Sequence, residues 1–198
     1  MLHRMLSIFP AARYGGLRAT GWGLAALCAV AASILIVPNA GGLFGAGLAL
    51  VMIAVAVIDS REFRIPNKLV LIGLLLGLAD AAFVGTRPFA ALISAVLRGA
   101  VLAFLLMGFR AGYYFFRQRE GIGLGDVKLS AVAGVWLSWT TASLAIEFAG
   151  LVALITALIG SLGSKRISGA TQIPFGLFFA PAIWAGWFLD AAILQRVM

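Results

Sequence analysis

The sequence predicts an all-α membrane protein, a polytopic bundle of transmembrane helices with six to seven spans. Hydrophobic residues make up 63% of the 198-residue chain and charged residues only 11%, whereas about 25% of residues are charged in soluble domains. A soluble fold of this size could not cover its surface with so few charges. The apolar residues are also grouped into segments close to the roughly 20 residues that a helix needs to cross a bilayer.

Seven apolar segments follow one another along the chain, and each is expected to form one helix. Helix-stopping prolines lie in connections between them, for example at Pro38 and Pro88. We expect a single integral membrane domain over residues 1–198, in which residues 1–20 form a cytoplasmic tail. The apolar run 21–37 is expected to be a retained first span and not part of a signal peptide. The segments are 21–37, 41–58, 69–85, 89–109, 127–140, 142–162 and 175–193.

The basic residues predict the orientation of these segments. Of the 15 Lys and Arg residues, 12 lie in the N-terminal tail or in alternate connections on one side, two lie on the other side, and Arg98 lies within a segment. Because cytoplasmic connections are rich in Lys and Arg, the N-terminus is expected in the cytoplasm, together with the polar connections 59–68 and 110–126. The net charge of +8 is thus a topology signal, and no binding to nucleic acid is expected.

Several kinds of chemistry lack the residues that they require. The sequence contains no G-x-S-x-G, HExxH or Walker-type motif, and its one histidine, His3, lies in the tail. Its one cysteine, Cys28, permits neither a disulfide framework nor a CxxC zinc site, and we expect it to be a small core residue. We therefore expect no metal and no cofactor, and the seven acidic residues remain as candidates.

Two aspartates are predicted at similar depth on the cytoplasmic side. Asp59 ends the second apolar segment, and Asp126 immediately precedes the fifth. Two carboxylates that share a proton can act as a base toward water and as an acid toward a carbonyl oxygen, which is the chemistry of an aspartyl protease. Gly123 and Gly125 leave room for a close approach to Asp126.

The positions of the two aspartates also bear on which of them is ionised and on whether they could have a purely structural role. Asp126 is expected at the start of a helix, where the helix dipole favours an anion, so we expect it to be the ionised member of the pair. Acidic residues are also ordinary helix caps. Position alone therefore leaves a purely structural role open for both aspartates.

The segments around these aspartates resemble the motifs of the type IV prepilin peptidases. Asp59 followed by Pro66-Asn67 resembles the D-x(6)-P-N segment of that family, and residues 123–129, Gly-Leu-Gly-Asp-Val-Lys-Leu, resemble its G-x-G-D-x-K-L segment. A softer match is Ile173-Pro174-Phe175-Gly176, which opens the last apolar segment. The resemblance extends from about residue 45 to 190. Presenilin-like proteases share the G-x-G-D element, but they usually have a tyrosine where Ile58 precedes Asp59.

This resemblance implies a membrane aspartyl endopeptidase in which Asp59 and Asp126 are the catalytic pair. Its substrate would be a pilin-like precursor, whose basic leader is removed at the cytoplasmic boundary of a prokaryotic inner membrane. Lys128 either faces the Asp126 carboxylate or marks the membrane boundary. The residues expected to support the site are Gly123, Gly125, Lys128, Pro66, Asn67, Pro174 and Gly176.

The sequence departs from many bacterial members of this family in one respect. Those members carry a cytoplasmic insert with paired CxxC motifs and N-methylate the trimmed pilin. This sequence has no such insert and resembles the short members, those of tight-adherence (Flp) pilus systems and the archaeal preflagellin peptidases. We therefore expect no methyltransferase activity, and the oligomeric state stays open.

Two other functions remain as alternatives. One is the intramembrane cleavage of other single-span proteins, and the other is a non-enzymatic small transporter or assembly factor. Three charged residues within the apolar segments bear on the last of these, since such charges are expensive in a membrane and often functional. We expect Arg98 to pair with Asp80 or Glu147, with exposure to a water-filled crevice as the alternative.

The aromatic residues suggest contacts with the membrane surface. We expect the tryptophans at positions 136, 139, 184 and 187 to lie at the interface or to face lipid. The Tyr113–Phe116 run precedes a basic pair and is expected to form an amphipathic segment on the cytoplasmic interface.

Overall fold

The computed structural model describes residues 15–84, 87–119, 121–162 and 174–197, and these form seven α-helices and no strand. The all-helical prediction is confirmed, and every predicted apolar segment overlaps a helix. His3 and Ile173 lie outside the described residues. The helices are α1 (Gly15–Ile36), α2 (Ala40–Glu62), α3 (Asn67–Phe83), α4 (Pro88–Arg117), α5 (Leu124–Trp136), α6 (Trp139–Leu162) and α7 (Phe175–Val197).

The described helices differ in whether they can cross a membrane. Four of them, α2, α4, α6 and α7, are long and apolar enough to do so, while α1 is apolar over the shorter stretch Thr20–Ile36. Helix α3 has 17 residues and α5 has 13. At 1.5 Å per residue, α5 is about 20 Å long, less than the roughly 30 Å of the hydrocarbon core. The chain is a multi-pass membrane helical bundle, and the count of six to seven spans stays a prediction.

Helix α5 is buried along most of its length and forms the centre of the bundle. It contacts α3, α4, α6 and α7, and its residues Leu129, Val132 and Ala133 are fully buried. Its close approach to α4 depends on Gly134, where an added Cβ would lie only 2.6 Å from the backbone of Arg98. Such contacts between small residues are a usual way for membrane helices to associate. The first turn of this central helix carries Asp126.

A left-handed residue ends α2 and turns the chain directly into α3. Phe63 has a φ of 52°, and its N–H donates to the backbone carbonyl of Asp59 at 3.0 Å. This conformation is uncommon for a residue other than glycine. Pro66 then precedes the first helical residue of α3, Asn67, where its missing N–H and restricted φ fit the start of a helix. The turn is short, so the end of α2 and the start of α3 lie beside each other.

Two tryptophans belong to the core, so the prediction that they face lipid or the interface was wrong. Trp136 and Trp187 are 8% and 5% exposed and pack edge to face with their ring centroids 6.4 Å apart. The Trp136 indole N–H donates to the carbonyl of Gly73 at 2.9 Å, and the Trp187 ring fills the space beside Gly45. Glycines on neighbouring helices thus provide room for these rings, whereas Trp139 is exposed as predicted.

Cys28 was predicted to be a core residue, and this was wrong because its side chain is exposed on α1. The buried side of this helix carries Ala29 and Ser33.

Helix α4 extends further than predicted. It continues to Arg117 instead of ending near residue 109, because residues 110–117 contain no helix-stopping proline. The Tyr113–Phe116 run is therefore the exposed end of α4 and not a separate segment. The connection to α5 shortens to residues 118–123, which begins with the left-handed residue Gln118 at a φ of 52°.

Candidate active site

Asp59 lies in the last turn of α2 and is only 5% exposed. Its Oδ2 atom accepts a hydrogen bond from the backbone N–H of Leu177 at 3.1 Å, and the N–H of Gly176 also interacts with this carboxylate. Both amides belong to the first turn of α7, where backbone N–H groups have no partner within the helix. The Asp59 carboxylate therefore caps α7 and faces the positive end of its dipole.

Gly176 is required by this close approach. A Cβ added to Gly176 would lie 2.9 Å from Asp59 Oδ2 and 2.9 Å from Ile65 Cδ1. Pro174 is buried immediately before α7, at a position where the absence of a proline N–H has no consequence for the helix. The structure thus brings Gly176 of the last motif next to Asp59, and Pro174 lies two residues before it.

Asp126 is half-buried in the first turn of α5. It is the third residue after the helix cap Gly123, and its carboxylate accepts a hydrogen bond from the Gly123 N–H. An acidic side chain at this position commonly reaches back to the cap in this way. A Cβ added to Gly123 would lie 3.1 Å from Asp126 Oδ2. The glycine therefore leaves one side of the carboxylate uncovered.

The carboxylates of Asp59 and Asp126 are close enough for their charges to interact. Burial, together with the negative charge of Asp59, raises the pKa of Asp126 to about 6, and the Gly123 N–H partly opposes this rise. Asp126 lies outside the four helices that are long enough to cross a membrane. This rise in the pKa of Asp126 is opposite to the fall that the helix dipole alone would cause. Burial and the neighbouring charge outweigh the dipole, so Asp126 retains a proton more readily than an ordinary aspartate.

Ile65 joins the two aspartate-bearing regions, although no motif singled it out. It lies in the connection between α2 and α3 and is 7% exposed. Its side chain packs against Gly125 in α5, where an added Cβ would lie 3.1 Å from Ile65 Cβ, and also against Gly176 in α7. The available signal in the sequence was one aliphatic residue within the polar connection, between Arg64 and Pro66.

Lys128 binds Asn67 at the exposed edge of the site. The Lys128 ammonium group donates to the Asn67 side-chain oxygen at 2.9 Å. Lys128 was predicted either to face the Asp126 carboxylate or to mark the membrane boundary, and its bond to Asn67 was not predicted. Because Pro66-Asn67 begins α3 and Lys128 lies two residues after Asp126, the bond connects the first motif directly to the second.

The connection before α5 is held by the extended end of α4. The Arg110 guanidinium donates to the carbonyl of Ile122. A Cβ added to Gly121 would lie 2.6 Å from the Tyr113 ring, so this ring packs directly on the connection. Arg110 and Tyr113 therefore support the approach to Asp126, a role that the sequence did not reveal because the connection was expected to begin at residue 110.

The other charged residues of the apolar segments lie outside this site. Arg98 donates from Nε to the carbonyl of Gly134 at 3.1 Å, and its charge interacts with Asp190. The predicted ion pair of Arg98 with Asp80 or Glu147 is not found in the part of the chain that the structure describes. One carboxylate oxygen of Asp80 is buried without a hydrogen-bond partner there.

Asp190 was not singled out from the sequence, and the structure shows that its carboxylate holds the start of α6 through hydrogen bonds. Its Oδ2 atom accepts a hydrogen bond from the backbone N–H of Ser138 at 3.0 Å, and its Oδ1 atom accepts one from the Thr141 hydroxyl. Ser138 immediately precedes α6. The last turns of α7 thus cap the start of α6, at the other end of α7 from Asp59.

The fold and the site together define a class, namely a multi-pass helical membrane protein in which two carboxylates from separate motifs lie close enough for their charges to interact. Residues 46–160 match the type IV leader peptidase family. The chain therefore belongs to that family, as the sequence motifs predicted. No solved structure matches the chain.

Relatives with known names agree with this membership. The prepilin leader peptidase/N-methyltransferase of Stutzerimonas stutzeri is 34% identical over 136 residues, which cover 67% of this chain and 45% of that protein. The protein of the same name from Aeromonas hydrophila is 32% identical over 164 residues, 81% of this chain and 54% of that protein. Leader peptidase HopD of Escherichia coli is 36% identical over 77 residues, 38% of this chain and 50% of that protein. The chain thus spans about half the length of these relatives.

Proposed function

We propose that the chain is an aspartic endopeptidase that removes the leader peptide from type IV prepilin-like precursors, with Asp59 and Asp126 as its catalytic dyad. The observation that carries the proposal is that these two carboxylates, from separate motifs, interact at one glycine-lined place in the bundle. Membership of the leader peptidase family supports the reaction. The proposal covers the peptidase activity alone and treats residues 1–198 as one membrane domain.

The environments of the two carboxylates suggest different roles. Asp126, whose pKa is raised to about 6, holds the proton and acts as the general acid. Asp59 accepts backbone hydrogen bonds from the start of α7, which partly offset the cost of burying a negative charge there. Asp59 therefore acts as the general base toward water.

The reaction then follows in two proton-balanced steps. Asp59 takes a proton from a water molecule whose oxygen attacks the scissile carbonyl carbon, while Asp126 gives its proton to the carbonyl oxygen. In the second step the C–N bond of the resulting diol breaks. The leaving nitrogen takes the proton from Asp59, and a diol hydroxyl returns a proton to Asp126. Both carboxyl groups are then in their starting states.

The supporting residues have separate places in this proposal. Gly123 leaves one side of the Asp126 carboxylate uncovered for a substrate backbone, and Gly125 lets α5 approach Ile65. Gly176 permits the contact of Asp59 with α7, whose start follows Pro174. Lys128 holds the start of α3 against α5.

The proposed sidedness depends on charge. Exposed basic side chains lie at the ends of α2 and α4 and at the start of α3. Basic connections are typical of the cytoplasmic side. We therefore propose that the site and the N-terminus face the cytoplasm in a prokaryotic inner membrane. The exposed basic residues are Arg61, Arg64, Lys68, Arg117 and Arg119.

The test is trimming of a Flp-type prepilin that is co-expressed with the chain in membranes. Wild type is expected to shorten the precursor, whereas Asp59→Asn and Asp126→Asn are expected to reduce the rate at least about a thousandfold, since each removes a group that transfers a proton. Asp190→Asn is the matched control, because it makes the same change in a carboxylate that caps α6. The amount of each variant in the membrane is measured by immunoblot.

Each result has a clear consequence. If the two variants trim as fast as wild type, the dyad is wrong. A second substrate, a single-span protein without a basic leader, tests the substrate class. Equal cleavage of that protein would contradict a leader peptidase and favour a broader intramembrane protease.

A further inference from the structure

Ile65 lies where the two halves of the proposed site meet. The left-handed Phe63 reverses the chain after α2. Phe63 and Arg64 remain exposed after this reversal, but the Ile65 side chain is buried. An aliphatic side chain is thus directed inward from a connection that is otherwise polar.

The contacts of Ile65 on both sides involve glycines. At Gly125, an added Cβ would lie 3.1 Å, 3.2 Å and 3.3 Å from the Cβ, Cγ1 and Cδ1 atoms of Ile65. At Gly176, an added Cβ would lie 2.9 Å from Ile65 Cδ1. Ile65 therefore packs close to the backbone of two helix starts, with no side chain between that could adjust.

These two helix starts carry or hold the two carboxylates. Asp126 follows Gly125 directly in α5. Asp59 is hydrogen-bonded to the residue that follows Gly176 in α7, Leu177. A change in the width of the side chain between the helix starts would therefore change the distance between the carboxylates. A β-branched side chain suits this position, since its χ1 angle is strongly restricted.

We infer that Ile65 is a positioning residue, which holds the starts of α5 and α7 at the separation that the Asp59 and Asp126 carboxylates need in order to act as a pair. This inference rests on the proposed function. Ile65 has no group that could transfer a proton, and it acts through the backbone of two helices. Displacements of about 1 Å are enough to lower the rate of a positioned reaction about a hundredfold.

Kinetics separate this role from ordinary core packing. Ile65→Ala is expected to lower kcat at least about tenfold while KM changes less than about twofold, because the reacting groups are displaced and the rest of the bundle is not. Ile183→Ala is the matched control, since Ile183 is a fully buried isoleucine of α7. It is expected to reduce the amount of folded protein but to leave kcat unchanged. An equal loss of kcat in both variants would overturn the inference.

A second test changes Gly125, the residue that Ile65 packs against, and asks whether Ile65→Ala compensates for the change. Gly125→Ala alone pushes against Ile65 and is expected to lower kcat. Combining Gly125→Ala with Ile65→Ala removes two of the three Ile65 atoms that crowd the new methyl group, Cγ1 and Cδ1, and leaves the Cβ atom at 3.1 Å. The kcat value is expected to recover at least about threefold over Gly125→Ala, as for other residues in direct contact. If the losses of kcat from the two single substitutions simply multiply in the double variant, Ile65 does not set the separation of the two helix starts.

The final experiment needs no activity. In a Cys28→Ser background, Asp59→Cys and Asp126→Cys are combined and treated with a short bifunctional thiol reagent in membranes. Cross-linking is expected to be fast with Ile65 present, several-fold slower after Ile65→Ala, and unchanged after Ile183→Ala. If Ile65→Ala leaves the rate of cross-linking unchanged, the inference is overturned. If the cross-link depends on Ile65 but wild type trims no precursor, the positioning role stands and the proposed function is wrong.

Discussion

The ammonium group of Lys128 donates a hydrogen bond to the side-chain oxygen of Asn67 at 2.9 Å, and this bond joins two motifs that are far apart in the chain. Asn67 is the first residue of α3, and Lys128 lies in α5 just after Asp126. Ile65 makes the corresponding connection on the buried side. The start of α5 is therefore tied to the turn between α2 and α3 by one polar contact and one apolar contact.

Loss of the polar contact is expected to lower activity modestly. Lys128→Met and Asn67→Ala should each reduce kcat/KM roughly fivefold, the factor that corresponds to a hydrogen bond of about 1 kcal/mol. The double variant should be no worse than either single variant, because both remove the same bond. Lys68→Met, which changes the exposed lysine beside Asn67, is the control. Trimming assays of the four variants check this, and independent losses would contradict it.

The titration of Asp126 should depend on Asp59. Asp59→Asn removes one of the two causes that raise the pKa of Asp126, so that pKa is expected to fall below about 6. It should stay above the ordinary value for aspartate, because burial remains. NMR titration of ¹³C-labelled aspartate carboxyl groups in micelles measures this change, with Asp190→Asn as the control. An unchanged pKa in Asp59→Asn would mean that the two carboxylates do not interact.

Glycine at position 176 should be indispensable, whereas an outward-facing glycine should not be. Gly176→Ala places a methyl group 2.9 Å from both Asp59 Oδ2 and Ile65 Cδ1, so trimming is expected to fall at least about tenfold as the carboxylate is displaced. Gly150→Ala in α6 is the matched control, because nothing lies within 4 Å of its added Cβ. Trimming rates normalised to the protein in the membrane compare the two. Full activity of Gly176→Ala would contradict the described contact.

The Asp190 carboxylate should affect stability and leave the chemistry unchanged. Asp190→Ala removes the acceptor for the Ser138 N–H at the start of α6, a loss of about 1 kcal/mol for one hydrogen bond. For a chain of this size, Tm should fall by about 2–4 °C. Asp190→Asn should retain most of this stability, since the asparagine side-chain oxygen can still accept a hydrogen bond from the Ser138 N–H. Thermal unfolding in detergent and kcat are measured together, and a large loss of kcat in correctly folded Asp190→Ala would contradict a purely structural role.

The part of the site that could be predicted is the part that short motifs describe. Asp59 and Asp126 were selected from seven acidic residues because both adjoin ends of apolar segments that are predicted to face the cytoplasm, and both lie within recognisable motifs. Their surroundings could not be selected in this way. Ile65 is one of many aliphatic residues in the sequence, and its position depends on the left-handed turn at Phe63, a conformation that the sequence does not signal for a phenylalanine.

The sequence by itself determined the class of protein, the approximate limits of its helices, the family motifs and the two candidate carboxylates. Hydropathy suffices for the class and the helix limits because it reports which residues avoid water, and the short motifs single out the two carboxylates. The tertiary structure alone decided which side of each helix faces its neighbours: Cys28 is exposed, Trp136 and Trp187 are buried, and Arg98 binds Gly134. The physical reason is that lipid and protein core are equally apolar. Only the packing of backbone against backbone and the location of hydrogen-bond partners distinguish them.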